Sequence, residues 1–302
     1  EYLKKVKTIT HATLSTSSTN AEANHELHQL YMSLLGAVAY TALTRPDALV
    51  YIGALQRFNH KPCIIHVKRL NALTRWLQRH PKSLHYPRLV ASDRSTSPTC
   101  YHLKASSDAA FKKEETKGHS MRGACFIRSL GQKPQDIIGS TKGHLLDYVS
   151  RSQRHVTRST FSAELFAACD ACDHALLLAT ILHEIAGGAI TKTQARALRE
   201  HGGHLIPIAL FVDAMSVQAA VCATFVKVPA EKSLLSHVQY LRELLDNRVL
   251  HCIIWQDTRD MLSDGLTKGA VDRTLLHQLM SGEVLVKHEA KLWQPNVKHN
   301  VH

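Results

Sequence analysis

The order of secondary-structure patterns after residue 98 constrains the fold of this chain more than any other feature. Runs typical of strands occupy residues 101–107, 122–130, 145–151, 208–213 and 250–255. Runs typical of helices occupy residues 160–186, 216–223, 231–246 and 259–268. The resulting order, β-β-β-α-β-α-α-β-α, predicts an α/β domain whose mixed sheet has an antiparallel hairpin at one edge and parallel strands joined by helices.

A helical region precedes this domain. From Glu26 onward, apolar residues recur at helical spacing, at Tyr31, Leu34, Leu35, Val38 and Ala42. Pro46 interrupts the pattern, and we expect Asp47 to cap a second helix over residues 48–58. A third helix is predicted over residues 65–77, and its bases either follow a phosphate backbone or form a solvated face: Lys68, Arg69, Arg75 and Arg79.

These patterns divide the chain into four parts. Residues 1–25, rich in Ser and Thr, are predicted to be a linker, and residues 26–90 a helical connection segment. Residues 98–272 form the α/β domain, and residues 273–302 are predicted to be a C-terminal tail. The Gly-flanked stretch from Ala186 to His204 is predicted to be a surface excursion. The start at Glu1, without an initiator Met, suggests a piece of a longer polypeptide.

The charge balance points to an acidic partner. The chain has 37 Lys plus Arg against 25 Asp plus Glu, a net charge of +12 and a pI of about 9.4. Nucleic acid is the first candidate partner, and a membrane surface is a weaker one because no basic amphipathic helix stands out. No apolar run approaches the roughly 20 residues that cross a bilayer. Charge alone also fits a merely soluble basic protein.

The cysteines favour an intracellular location. Seven Cys, an odd number, are scattered along the chain without the spacing of a disulfide framework. Cys169-x-x-Cys172 with His174 resembles half a zinc site, but it lies in a strongly helical stretch and no second pair follows. We therefore interpret these cysteines as helix-packing residues, inside a cytoplasmic or nuclear protein.

Four carboxylates occur at the ends of predicted elements. Asp108 follows a strand-like segment, Glu164 lies in the first turn of a helix, Asp213 ends an apolar strand, and Asp264 lies near the start of the final helix. Sites in open α/β sheets lie where strands end, so these acids are candidates for one cluster. Clustered carboxylates repel one another unless cations offset their charge, and magnesium prefers oxygen ligands. Taken singly, Asp213 also fits a helix cap and Asp264 a partner of a helix dipole.

Several short motifs occur in a recognisable order. Tyr31–Tyr40 is followed by Thr44-Arg-Pro-Asp47 and by the helix from His66 to Leu77. Ser107-Asp108-Ala109 comes next, then Tyr148-Val-Ser-Arg-Ser-Gln153 and Ser159-Thr-x-x-Ala-Glu164. Val212-Asp213-Ala-Met-Ser216 and Leu262-Ser-Asp264-Gly-Leu-Thr-Lys268 complete the series. In order and spacing these motifs resemble the ribonuclease H region, with its preceding connection segment, of Copia-type LTR-retrotransposon Pol polyproteins. The resemblance runs from about Tyr31 to Asp272.

This resemblance implies both a fold and an activity. The fold would be ribonuclease H-like, a mixed five-stranded sheet flanked by helices. Asp108, Glu164, Asp213 and Asp264 would be the catalytic, metal-binding carboxylates of a site for two Mg²⁺ ions, with Mn²⁺ as a substitute. The reaction would be hydrolysis of the RNA strand of an RNA/DNA hybrid, beside the reverse transcriptase domain of the same polyprotein. The bases nearest to these acids in sequence are expected to contact phosphates: Lys112, Lys113, Arg151, Arg154 and Arg158.

Some positions depart from the family pattern. Phe111 stands where a Trp is usual, Ala214-Met215 replaces an Asn-containing turn, and Ser162 stands where many relatives carry another acid. The polymerase signature Tyr-x-Asp-Asp is absent from the chain. Two alternatives therefore stay open, a catalytically inactive nucleic-acid-binding or tethering remnant, and a related metal nuclease such as a junction resolvase.

Overall fold

The computed structural model describes residues 1–89, 101–111, 119–130, 139–225 and 228–293. The chain divides into two compact units. The first comprises Glu1–Leu84 with Lys268–Ala270, and the second comprises His85–Thr267 with Val271–His302. We refer to them as the helical unit and the α/β unit.

The helical unit has three main helices. Two short helices, α1 (Tyr2–Lys5) and α2 (Thr13–Thr16), precede α3 (His25–Tyr40), α4 (Pro46–Gln56) and α5 (Ile64–Arg79), and a 3₁₀ turn spans Thr41–Leu43. The apolar face predicted for α3 is confirmed for Tyr31, Leu34, Leu35 and Val38, which are all buried in the core of this unit. Ala42, the fifth residue of the predicted face, lies beyond α3 in the 3₁₀ turn and is half-buried against the same core.

The start of α4 differs from the prediction. Asp47 is not the cap of a helix over residues 48–58, because the helix already begins at Pro46. Proline is well suited to the first helical position, where its missing N–H leaves no hydrogen bond unmade. The Asp47 carboxylate instead accepts two hydrogen bonds from the guanidinium of Arg45, at 2.8 and 2.9 Å, and both side chains are buried.

Residues 1–25 are not a free linker. Ile9 is buried, and its backbone N–H and carbonyl oxygen both bond to the side-chain amide of Asn71 on α5, each at 2.8 Å. Gln78 donates to the carbonyl oxygens of Leu3 and Val6. The segment is therefore fixed to α5 by side-chain amides, which its Ser- and Thr-rich composition did not indicate.

The α/β unit is built on a mixed sheet of seven strands, so the prediction of a five-stranded sheet is wrong in its strand count. The strands are β1 (Tyr101–Ala110), β2 (His119–Leu130), β3 (Gly139–Val156), β4 (Ile208–Val212), β5 (Cys252–Gln256), β6 (Glu283–Val286) and β7 (Ala290–Trp293). Their order across the sheet is β6-β3-β2-β1-β4-β5-β7. β1 runs antiparallel to β2, as β2 does to β3, whereas β1, β4 and β5 are parallel neighbours.

Helices flank this sheet, as the α/β class requires. They are α6 (Thr160–Gly187), α7 (Lys192–His201), α8 (Met215–Cys222), α9 (Leu235–Asp246), α10 (Asp264–Thr267) and α11 (Thr274–Met280). The predicted surface excursion contains α7, none of whose residues is buried. The helix predicted over residues 259–268 is instead a 3₁₀ turn, Thr258–Asp260, followed by the single turn of α10.

Residues 273–302 are not a tail as far as the structure describes them. α11 follows the α/β domain directly, β6 pairs with the start of β3, and β7 pairs with β5. Val284 and Val286 alternate as buried residues on β6. The buried carboxylate of Asp260 accepts hydrogen bonds from the backbone N–H groups of Lys287 and His288, at 2.9 and 2.7 Å, which fixes the turn between the two strands.

The longest helix, α6, is the central packing element of the α/β unit. By length and composition alone this helix of 28 residues is apolar enough to cross a membrane. However, 56% of its most apolar window is buried within the protein. Its buried face contributes Leu165, Ala168, Cys172 and Ala175 to the main core, together with the apolar side chains of β1 and β4. The helix is therefore buried in the way that a core helix is.

Candidate metal centre

Strand register brings two of the predicted acids together. β1 and β4 are parallel, with Ser107 beside Val212, so the next residues, Asp108 and Asp213, lie at the same edge of the sheet. Neighbouring strands are about 4.8 Å apart. Asp213 directly follows β4, where the carboxyl ends of parallel strands form the usual location of a site.

Helix α6 brings the third acid to the same place. Its first turn is fixed by a capping box in which Ser159 and Ser162 each accept a backbone hydrogen bond from the other residue, both at 3.1 Å. Ser162, which replaces an acid of the family pattern, therefore has a capping role here. Small side chains at Ala109 on β1 and at Ala163 on α6 pack together and let the helix approach the strand, which places Glu164 beside Asp108.

The three carboxylates form one cluster. Asp108, Glu164 and Asp213 each offer an oxygen, and these oxygens all lie within 4.8 Å of one another. Asp108 and Glu164 are buried, and Asp213 is half-buried. Within the described ranges, no other set of three His, Cys, Asp or Glu side chains lies as close.

Asp264 does not belong to this cluster as defined by distance. Its side chain is half-buried at the first position of α10, and its oxygens are not among those within 4.8 Å. Of the four predicted metal-binding acids, the structure thus brings three together and leaves the fourth on an adjacent helix.

Hydroxyl groups attach the α10 segment to the sheet. Ser106 on β1 bonds to Ser263 at 2.7 Å, and Ser150 on β3 donates to the carbonyl oxygen of Leu266 at 2.6 Å. Thr267, at the end of α10, donates a hydrogen bond to the carboxylate of Asp108. Thr267 belongs to the Leu-Ser-Asp-Gly-Leu-Thr-Lys motif, but the sequence did not identify it as a residue of the site.

The polar surroundings of Asp213 are also defined. Thr258 donates to its carboxylate at 3.0 Å, and the indole N–H of Trp255 donates to its backbone carbonyl oxygen at 2.7 Å. These contacts fix the turn after β4, which carries Ala214 and Met215 in place of the Asn-containing turn of the family pattern.

The donor set fits a hard divalent cation. Three carboxylates held this close repel one another, and the burial of negative charge is costly. A divalent cation with oxygen ligands removes both penalties, and Mg²⁺ takes such carboxylate oxygens. The buried position of Asp108 and Glu164 on two rigid elements argues that the cluster is built rather than incidental.

Arginines gather on the face of the sheet that α6 covers. Arg122 lies opposite Ala109 on one side and opposite Arg151 on the other, so it is one residue along the sheet from Asp108 and its side chain projects from the other face. Burial, followed by the charges of Arg151 and Arg154, lowers the pKa of Arg122, which forms an ion pair with Asp170 on α6. Arg122, Arg154 and Asp170 line a pocket of 560 Å³ that α9 borders with His237 and Tyr240.

The five bases predicted to contact phosphates have different outcomes. Arg151, Arg154 and Arg158 are exposed, and the first two belong to this arginine group. Lys112 and Lys113 lie outside the described residues. Arg122 was not predicted. A prediction of the strand register would have identified it, because it lies on a strand that pairs with the Asp108 strand.

The Cys169-x-x-Cys172 pair has the packing role that the sequence indicated. Both thiols are buried on α6, and burial raises the pKa of Cys169 to about 12 and that of Cys172 well above its usual value. A metal ligand must be a thiolate, which such burial disfavours. His174 instead bonds to Asp147 at 2.7 Å and stacks on Phe126.

Two comparisons with known proteins found no relative. The chain matches no protein-family model, and no curated protein matches it.

Proposed function

We propose that this chain is a metal-dependent ribonuclease that hydrolyses the RNA strand of RNA/DNA hybrids, as the ribonuclease H region of a Copia-type retroelement polyprotein. The observation that carries the proposal is the cluster of Asp108, Glu164 and Asp213, whose oxygens lie within 4.8 Å of one another. The order of motifs in the sequence supports the same assignment. The enzyme would act inside the cell, where reverse transcription takes place.

A ribonuclease H-like fold is part of the proposal. Its five strands would be the inner five of the sheet, in the order β3-β2-β1-β4-β5, and β6 and β7 would be additions at the two edges. The structure shows an α/β unit with a mixed sheet.

The proposed roles of the acids follow from their positions. Asp108, Glu164 and Asp213 would hold Mg²⁺, and Asp264 is the proposed fourth ligand because its helix is bonded to Asp108 through Thr267. Bound as two ions, Mg²⁺ would supply an activated water and positive charge at the leaving 3′-oxygen. Thr267 and Thr258 orient the carboxylates of Asp108 and Asp213 by donating hydrogen bonds to them.

The arginine group would bind the hybrid. Arg122 and Arg151 project from the sheet face that α6 covers, about one and two strand spacings from the Asp108 strand. Guanidinium groups are suited to phosphate recognition because they donate several hydrogen bonds in a plane. Arg154 and Arg158 would extend this contact along the backbone of the duplex.

Cleavage of a labelled hybrid tests the proposal. The chain is mixed with a hybrid labelled on its RNA strand, in Mg²⁺, in Mn²⁺ and in EDTA, and the products are separated by size. We expect RNA cleavage in either metal, none in EDTA, and a loss of roughly 100-fold or more in Asp108→Asn and Asp213→Asn. Glu243→Gln, an exposed acid on α9, is the matched control and should cleave normally.

The alternatives predict other outcomes of the same experiment. If the chain binds the hybrid but does not cut it in any metal, it is a non-catalytic nucleic-acid-binding remnant, and the enzymatic proposal is wrong. If four-way DNA junctions are cut faster than hybrids, the chain is a junction nuclease that uses the same acids.

A further inference from the structure

A pocket between α4 and α5 has the lining of a site for a planar ligand. It has a volume of 470 Å³ and is lined entirely by residues of the helical unit. Four of its nine lining residues carry rings, namely Tyr51, Phe58, His66 and Trp76. Arg69 is the one Lys or Arg among the lining residues. The pocket therefore combines flat apolar walls with a single cation.

Two of these rings are held in place before any ligand binds. Phe58 and His66 stack with centroids 3.7 Å apart and planes 17° apart. The Nδ1 of His66 accepts a hydrogen bond from the backbone N–H of Cys63 at 2.9 Å, which orients the imidazole. Preorganised walls reduce the entropy that a ligand must lose on binding.

The side chain of Trp76 is held in place by a different contact. The guanidinium of Arg45 lies 5.2 Å from the centre of the Trp76 ring, and Arg45 is itself held by Asp47. The ion pair of the Thr-Arg-Pro-Asp motif thus supports one wall of the pocket. Aromatic side chains held in place in this way suit a flat molecule better than a flexible aliphatic one.

The charge of the segment that carries most of the lining residues favours an anionic ligand. Between residues 54 and 82 the chain has seven Lys and Arg and no Asp or Glu. These cations are Arg57, Lys61, Lys68, Arg69, Arg75, Arg79 and Lys82. Burial and the charge of Arg69 lower the pKa of His66, so the imidazole stays a neutral ring at neutral pH. The ligand is expected to be flat at one end and negative at the other.

We propose that this pocket binds an unpaired nucleotide of a single-stranded RNA or DNA, with the base against the rings and a phosphate at Arg69. Aromatic side chains stack on bases of any sequence, and cations beside them hold the backbone. An acidic peptide would satisfy the cations but would leave the aromatic walls without a planar partner. The inference concerns the helical unit alone and does not depend on the proposed nuclease activity.

Binding of single strands with and without bases tests this proposal. The full chain in EDTA, where no metal-dependent cleavage can occur, is titrated into a fluorescent oligothymidylate and into an abasic strand of the same length. We expect the base-containing strand to bind at least about fivefold more tightly, since stacking acts only on a base. RNA and DNA strands are compared in parallel, because both carry the recognised chemistry.

Matched substitutions locate the binding site. Phe58→Ala should remove the preference for bases, whereas Phe225→Ala, at a phenylalanine that is 82% exposed in the α/β unit, should leave it intact. Arg69→Gln should weaken the binding of both strands. It should also reduce the slope of the logarithm of the binding constant against the logarithm of salt concentration by about 0.7, the value for one phosphate contact. Arg199→Gln, also exposed on a helix, should not change that slope.

A second variant guards against a folding defect in Phe58→Ala. Ala72 is an exposed lining residue on α5, so Ala72→Glu should fold normally and repel a phosphate from the pocket. Equal affinity of the parent chain for abasic and base-containing strands would overturn the proposal. So would a base preference that Phe58→Ala and Ala72→Glu both retain.

Discussion

The hydroxyl of Thr267 donates a hydrogen bond to the carboxylate of Asp108, a residue 159 positions earlier in the chain. Both side chains are buried, so the bond forms in an environment where a hydrogen bond to a charged group is strong. It joins the last residue of α10 to the strand that carries the first acid of the cluster.

Removal of this hydroxyl should disturb the site without removing a proposed ligand. In Thr267→Val the side chain keeps its shape but loses the donor, and we expect hybrid cleavage to fall roughly tenfold because a hydrogen bond to a charged group contributes ~1.5–3 kcal/mol. Thr267→Ser keeps the hydroxyl and should recover most of the activity. The measurement is kcat at several Mg²⁺ concentrations, and equal rates for the two variants would show that the hydrogen bond has no positioning role.

Gly123 permits the close approach of α10 to the sheet. It lies opposite Asp108 on β2, and a Cβ added there would be 2.7 Å from the Cγ2 of Thr267 and 3.0 Å from the carbonyl oxygen of Ser263. Gly123→Ala should therefore displace α10 and lower the free energy of unfolding by ~1–3 kcal/mol.

A helical glycine provides the comparison for this substitution. Gly53 lies within α4 and has no heavy atom within 4 Å of an added Cβ, so Gly53→Ala should stabilise the chain by ~0.5–1 kcal/mol. Urea unfolding of the two variants gives both values. Opposite signs are expected, and a neutral Gly123→Ala would mean that α10 packs less closely than described.

Magnesium should stabilise the fold through the acid cluster. A ligand that binds only the folded state raises the melting temperature, and repulsion among Asp108, Glu164 and Asp213 makes the metal-free protein less stable. We expect Mg²⁺ to raise the Tm of the parent chain but not that of Asp213→Asn. In EDTA, Asp213→Asn should melt at a higher temperature than the parent.

Thermal melts of the exposed-acid variant control for general charge effects. Glu243→Gln removes one negative charge far along α9 and should show the same Mg²⁺ dependence as the parent. A Tm of the parent chain that does not respond to Mg²⁺ or Mn²⁺ would contradict metal binding at the cluster, whatever the result with nucleic acid.

The sequence predicted those parts of the fold that local patterns encode. Helical periodicity located the buried face of α3, and the position of Asp213 after an apolar strand placed it at a sheet edge. The hydrogen bond between Asp108 and Thr267 could not be predicted in this way, because it joins residues that no periodicity relates.

The incorrect predictions of the fold concern contacts between residues that are far apart in sequence. Strands β6 and β7 have only four residues each, and their pairing with β3 and β5 is not visible in so short a pattern. The N-terminal segment is held by the side-chain amides of Asn71 and Gln78, which a prediction of a linker from composition does not take into account.

Lys104 is a buried cation whose charge should make stability depend on pH. It lies on β1 beneath the ring of Phe211, 5.8 Å from its centre, and only 7% of the residue is exposed. Burial lowers the pKa of Lys104 from 10.5 to about 8, and the neighbouring Cys252 has a small opposing effect. Because the unfolded chain holds this proton up to about pH 10.5, folding releases it between pH 8 and pH 10.5.

The sign of the effect follows from this difference in bound protons. The unfolded state binds more protons in that window, so the contribution of Lys104 to stability becomes more favourable as pH rises from 8 to 10.5, and below pH 8 its full penalty applies. Lys104→Met should thus stabilise the chain at pH 7, by up to ~3 kcal/mol, and the gain should shrink towards pH 10.5. Lys192→Met, at an exposed position on α7, should show no such change. A gain for Lys104→Met that is constant from pH 7 to pH 10.5 would mean that Lys104 stays charged over this whole range.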